Sequence, residues 1–92
     1  MRRRILVVED EEDNMQILRD LLAPGYELDE AENGQTALAA VAKQRPDLIL
    51  MDIQLPIMDG YEATRRLKAD PALRSIPIIA ITSYALGQDE KR

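Results

Sequence analysis

Three short apolar runs stand out along the chain: Ile5–Val8, Leu48–Met51 and Ile76–Ile81. Leu48-Ile49-Leu50-Met51 and Ile78-Ile79-Ala80-Ile81 show no polar alternation, the pattern of strands buried on both faces, as parallel strands are when helices cover a sheet front and back. Tyr26-Glu27-Leu28-Asp29-Glu30-Ala31 does alternate and predicts a strand nearer an edge.

Helical spacing fills the gaps. From Glu12 to Leu22, the residues Met15, Ile17, Leu18, Leu21 and Leu22 predict an apolar stripe that stops at Ala23-Pro24-Gly25. Asn33-Gly34 opens a second helix with Ala37, Leu38, Val41 and Ala42 on one face, running to Arg45-Pro46. Asp59-Gly60 opens a third, with Tyr61, Thr64 and Leu67 expected inward and Asp70-Pro71 ending it. The resulting order, β-α-β-α-β-α-β with short connections, predicts right-handed crossovers. It gives an open, doubly wound α/β sheet whose ligands lie outside the carboxyl ends of the strands. After Ile81 the chain continues from Thr82 to Arg92, consistent with the start of a fourth helix.

Composition narrows the chemistry. At 92 residues the chain is one domain or less, and 46% apolar with 32% charged residues is a globular balance. No apolar run approaches the roughly 18 residues of a membrane span. Met1-Arg2-Arg3-Arg4 is basic, but the apolar run after it is broken at Glu9, too early for a signal peptide. A cytoplasmic protein with no membrane partner is expected. The absence of cysteine excludes disulfides and thiol nucleophiles, and the absence of histidine excludes Ser–His and Cys–His pairs and ordinary zinc sites. A net charge of −5 argues against a nucleic-acid surface. Arg65, Arg66 and Lys68 are expected on a solvated helix face.

Chemistry therefore falls to carboxylates, hydroxyls and backbone. Glu9-Asp10, Asp52 and Thr82 directly follow three of the four strands, and in a parallel sheet those ends converge on one rim. Converging carboxylates repel unless a cation sits among them. Oxygen donors without nitrogen or sulfur select Mg²⁺ or Ca²⁺, and Mg²⁺ better tolerates few carboxylates, several waters and a phosphate oxygen. Each residue also has a plainer role. Glu9 and Asp10 open the run Glu9-Asp10-Glu11-Glu12-Asp13, and acids at a helix start favour its dipole. Thr is common at strand ends. Asp52 is harder to explain structurally, because a charge directly after a wholly apolar strand is costly and the next helix starts well downstream.

Taken together, Val7-Val8-Glu9-Asp10, Asp47-Leu48-Ile49-Leu50-Met51-Asp52-Ile53-Gln54-Leu55-Pro56, Met58-Asp59-Gly60 and Ile78-Ile79-Ala80-Ile81-Thr82 resemble the receiver domains of bacterial two-component systems. Within that family the chain is most similar to single-domain and hybrid-kinase receivers, including cell-division regulators with a similar Met-Asp-Ile-Gln-Leu-Pro segment. The resemblance covers residues 1–92 and implies a flavodoxin-like fold with strand order 2-1-3-4. It implies that Asp52 is the phosphoacceptor for a histidine kinase or histidine phosphotransfer protein, and that the protein is not an enzyme but assists its own phosphorylation and dephosphorylation. Mg²⁺ would be held by the side chains of Asp10 and Asp52, by the backbone carbonyl of Gln54, and by Glu9 through water. Thr82 would be the switch hydroxyl, the Gln54 side chain would tune loss of the phosphoryl group, and Pro56 and Gly60 would shape the loop.

The family continues through a fourth helix, a fifth strand followed by a phosphoryl-contacting lysine, and a fifth helix, so the resemblance makes this domain C-terminally incomplete. Lys91 is not the counterpart of that lysine, nor Tyr84 of the family's switch aromatic. Impaired or absent phosphorylation by small phosphodonors is expected, as is self-association, segment swapping or binding of a complementing chain through an open sheet edge. Two other classes remain. An unphosphorylated interaction module would bind partners through the same fold. An aspartyl-nucleophile phosphatase of the haloacid-dehalogenase type would need a second Asp where Gln54 stands.

Overall fold

The computed structural model describes residues 3–53, 55 and 60–81. The expected roles of Gln54, Pro56, Met58, Asp59, Thr82, Tyr84 and Lys91 fall outside the described residues. The elements are β1 (Arg4–Val8), α1 (Glu12–Leu22), β2 (Glu27–Ala31), α2 (Gly34–Lys43), β3 (Leu48–Asp52), α3 (Gly60–Ala69) and β4 (Ile78–Ile81). The four strands form one parallel sheet in the order β2-β1-β3-β4, as the resemblance implied.

Side chains alternate across this sheet and build two cores. On one face Leu6, Val8, Ala31, Ile49 and Met51 pack with Ala37 and Val41 of α2 and Ala63 and Leu67 of α3. On the other, Ile5 and Val7 pack with Met15 and Leu18 of α1. The central strands are the most deeply buried, as their unbroken apolar sequence requires: Val7, Val8, Ile49 and Met51 are fully enclosed. Burying each such side chain contributes roughly 1.5–3 kcal/mol.

Helix starts follow local chemistry. Asn33 caps α2 by accepting from Thr36 N at 2.8 Å, and Thr36 Oγ1 accepts in return from Asn33 N at 3.2 Å, a reciprocal capping box. The α1 start has no side-chain cap, but Glu12 and Asp13 occupy its first turn, where the helix dipole favours acids.

The rotation of the helices differs from the sequence expectation. In α1, Met15 and Leu18 are buried, but Ile17 is 37% and Leu21 70% exposed, and Asn14 takes an inward position instead. The inward stripe runs 14, 15, 18, 22, and positions 17 and 21 lie about 100° to one side of it. In α3 the inward residues are Gly60, Ala63 and Leu67; Tyr61, expected inside, is 69% exposed, and Thr64 is half-buried. Ala42 of α2 faces outward as well. The last strand is also shorter and wetter than its sequence suggests. Ile76 is buried just before it, while within β4 Ile79 is half exposed and Ala80 exposed. The reason is position: among the described strands β4 has a neighbour on one side alone. No helix among the described residues is long and apolar enough to cross a membrane.

Candidate functional site

Register decides what the strand ends can do together. Val8 pairs with Ala31 on one side and Met51 on the other, so the next residues, Glu9 and Asp52, emerge side by side at the carboxyl rim. The Glu9 N–H donates to Ala31 O at 2.9 Å, extending the ladder to β2 and fixing where the Glu9 side chain leaves the backbone. Beyond Asp52, Ile53 N donates to Ile81 O at 3.0 Å, which does the same on the β4 side. Asp52 is wholly buried, Glu9 is 2% exposed, and Asp10, one residue further out, is exposed.

Glu9, Asp10 and Asp52 each offer a carboxylate oxygen, and those three oxygens all lie within 4.8 Å of one another. Placing such groups in a low-dielectric rim carries an electrostatic cost. Burial pushes the Glu9 carboxyl up to about 7, with the Asp52 and Asp10 charges adding to the effect and hydrogen bonds from the Glu11 N–H and Asn14 opposing it. Those two donors converge on one oxygen, Glu9 Oε2, from Glu11 N at 3.1 Å and Asn14 Nδ2 at 3.5 Å. The other oxygen, Oε1, is buried and accepts no hydrogen bond among the described residues.

A buried carboxylate oxygen with no donor, beside two further acids and no nitrogen or sulfur ligand, suits a hard divalent cation. The residues present therefore fit Mg²⁺. A cavity of about 410 Å³ opens alongside, on the β2 flank, lined by Glu9, Asp10, Glu12, Glu30, Glu32 and Thr36 among others. Arg19 closes part of this acidic wall, with Nη1 at 2.7 Å from Glu12 Oε2 and Nε at 2.6 Å from Glu30 Oε2.

Of the residues expected to form the site, Glu9, Asp10 and Asp52 come together. Asn14 is an addition that the apolar pattern does not flag. Its signal in the sequence is a polar residue at position 14 on a stripe continued by Leu18 and Leu22, four residues apart each time.

Comparison with known proteins agrees with this geometry. The family model for the response regulator receiver domain matches residues 5–92. The polar-differentiation response regulator DivK of Brucella anthropi is 50% identical over 93 aligned residues, which take in all of this chain and 76% of the relative. Among solved structures, the receiver domain of a sensor histidine kinase from Pseudomonas aeruginosa PAO1, crystallised with a magnesium ion coordinated in its active-site cleft, superposes with a TM-score of 0.85. It is 40% identical, with 97% of this chain and 74% of that one covered. The phosphorylated cyanobacterial phytochrome response regulator RcpA also superposes with a TM-score of 0.85, at 30% identity over 90% of this chain and 66% of that one. Sequence, strand order and acid cluster agree, and the chain belongs to the response regulator receiver domain family of two-component signalling.

Proposed function

We propose that Asp52 accepts a phosphoryl group from a phosphohistidine on a histidine kinase or histidine phosphotransfer protein. A carboxylate oxygen of Asp52 forms the new P–O bond as the P–N bond breaks; the electron pair returns to the imidazole, which takes a proton from solvent. The product is an acyl phosphate, so the carboxylate's single charge is replaced by about two, with added acceptor oxygens. Mg²⁺ would supply neutralising charge for the phosphoryl oxygens. The side chains of Asp10 and Asp52, the Gln54 carbonyl, and Glu9 through water would hold it. By the resemblance, the Thr82 hydroxyl would donate to the new oxygens, and such a contact would shift the equilibrium between two conformations.

One observation carries this reading: a wholly buried Asp52 ends an apolar strand with two more acids close enough to share a cation. The metal-bound and phosphorylated relatives support it by analogy. In such a transfer positioning and charge neutralisation supply most of the effect. The rim needs no catalytic histidine, and the chain has none. The protein is then a stoichiometric acceptor that assists its own phosphorylation and dephosphorylation rather than an enzyme with turnover, and it works in the cytoplasm alongside its donor.

The test is transfer of label from a phosphorylated histidine phosphotransfer protein, paired with Mg²⁺-dependent binding of beryllium fluoride followed by fluorine NMR. Wild type should respond in both and Asp52→Asn in neither. Label retained by Asp52→Asn would disprove the assignment.

A further inference from the structure

Asn14 stands where the packing of α1 calls for an apolar side chain. It is 4% exposed and shares the inward stripe with Met15 and Leu18. A buried amide is costly unless it is hydrogen-bonded, and a leucine would fill the same place without that cost. The amide has one feature a leucine lacks: its Nδ2 lies 3.5 Å from Glu9 Oε2.

That contact acts together with the Glu11 N–H, 3.1 Å from the same oxygen. Two donors on Oε2 restrict rotation of the carboxylate and leave Oε1, buried and without a donor among the described residues, as the oxygen available to the acid cluster. The choice of side chain follows from the charges nearby. Lysine or arginine at this position would place a competing cation in the site, and aspartate would add a fourth carboxylate. An amide donates a proton and adds no charge.

We infer that Asn14 is a positioning residue that orients the Glu9 carboxylate toward a bound divalent cation, an inference that rests on the Mg²⁺ reading of the acid cluster. Groups that orient a metal's direct ligands typically contribute 10–100-fold in affinity, and Glu9 acts through water, so the lower end of that range is expected.

Calorimetric titration of the full chain with Mg²⁺ at fixed pH tests this. Asn14→Leu should weaken binding by roughly tenfold without lowering the melting temperature measured in chelator. Combined with Glu9→Gln, it should cause no further loss, because the group it acts through has been altered. If Asn14→Leu folds poorly, Asn14→Ala goes through the same cycle with the same expected result. Undiminished binding by Asn14→Leu and Asn14→Ala, or an equal loss in the Glu9→Gln background, overturns the role of Asn14 alone, provided Asp52→Asn reduces binding. Wild type that binds no Mg²⁺, or binds it equally well after Asp52→Asn, overturns both this inference and the metal reading beneath it.

Discussion

The backbone of Gly60, the first residue of α3, lies directly against Asp52, the last residue of β3. A Cβ at Gly60 would fall 2.7 Å from Ile53 Cα and closer still to the Asp52 carbonyl oxygen. The Gly60 N–H also points at Ile53 O, 3.4 Å away. The start of α3 thus packs on the backbone at the end of β3, and only a residue without a side chain fits there.

Gly60→Ala should destabilise the fold. Gly60 is the first residue of its helix, so alanine gains little helix propensity there, while its methyl meets backbone that cannot swing aside, and overpacking of this kind costs about 1–3 kcal/mol. Urea unfolding is expected to show net destabilisation, and phosphoryl acceptance should fall as the Asp52 backbone shifts.

Asp52→Asn should abolish phosphoryl acceptance yet stabilise the metal-free chain. Above pH 7, where the Glu9 carboxyl has lost its proton, removing the Asp52 charge relieves its repulsion of Glu9. The expected gain is on the order of 1 kcal/mol, the worth of one pKa unit of interaction. Denaturation in chelator measures it, and saturating Mg²⁺ should narrow or reverse the difference between the two proteins.

Glu9 makes stability depend on pH in a defined direction. Its pKa rises from 4.5 to about 7 on folding, so between those values the folded chain holds a proton that the unfolded chain has released. The contribution is fully present below pH 4.5 and is lost as pH rises through 7. Melting temperatures in chelator should therefore fall across this window in wild type and fall less in Glu9→Gln. Mg²⁺ binding works the other way: it needs the carboxylate, so affinity should rise through pH 7 and level off above it, with protons released on binding.

Packing and capping away from the rim set the scale for these effects. Ile49→Ala empties a fully buried position and should cost about 2–5 kcal/mol. Asn33→Ala removes the α2 cap and should cost about 1 kcal/mol. Leu21, 70% exposed, should tolerate alanine with a change of roughly 0.5 kcal/mol or less. Urea unfolding of the three variants checks the order.

The helices show where pattern ends and packing begins. Tyr61, Ile17 and Leu21 are apolar or aromatic and were expected inside, yet they face outward, while Gly60, Ala63 and Asn14 face in. At Gly60 a small residue wins because α3 starts directly against the backbone at the end of β3. Asn14 faces in where its amide reaches Glu9 Oε2 at 3.5 Å. Both requirements come from groups distant in sequence, which periodicity along one helix cannot register. The same holds for β4, whose apolar sequence resembles that of β3 but whose place at the edge of the described sheet leaves Ile79 half exposed.

Local chemistry alone determined the alternation of strands and helices, the parallel sheet and the acids at its carboxyl rim, because unbroken apolar runs, caps and turn residues act within a few positions of one another. Only the tertiary structure decided that Val8 pairs with Met51, that Glu9 and Asp52 therefore meet with Asp10 within 4.8 Å, and that one oxygen of Glu9 is held while the other has no donor among the described residues. Those are matters of register and burial, which arise when separate segments pack and exclude water between them.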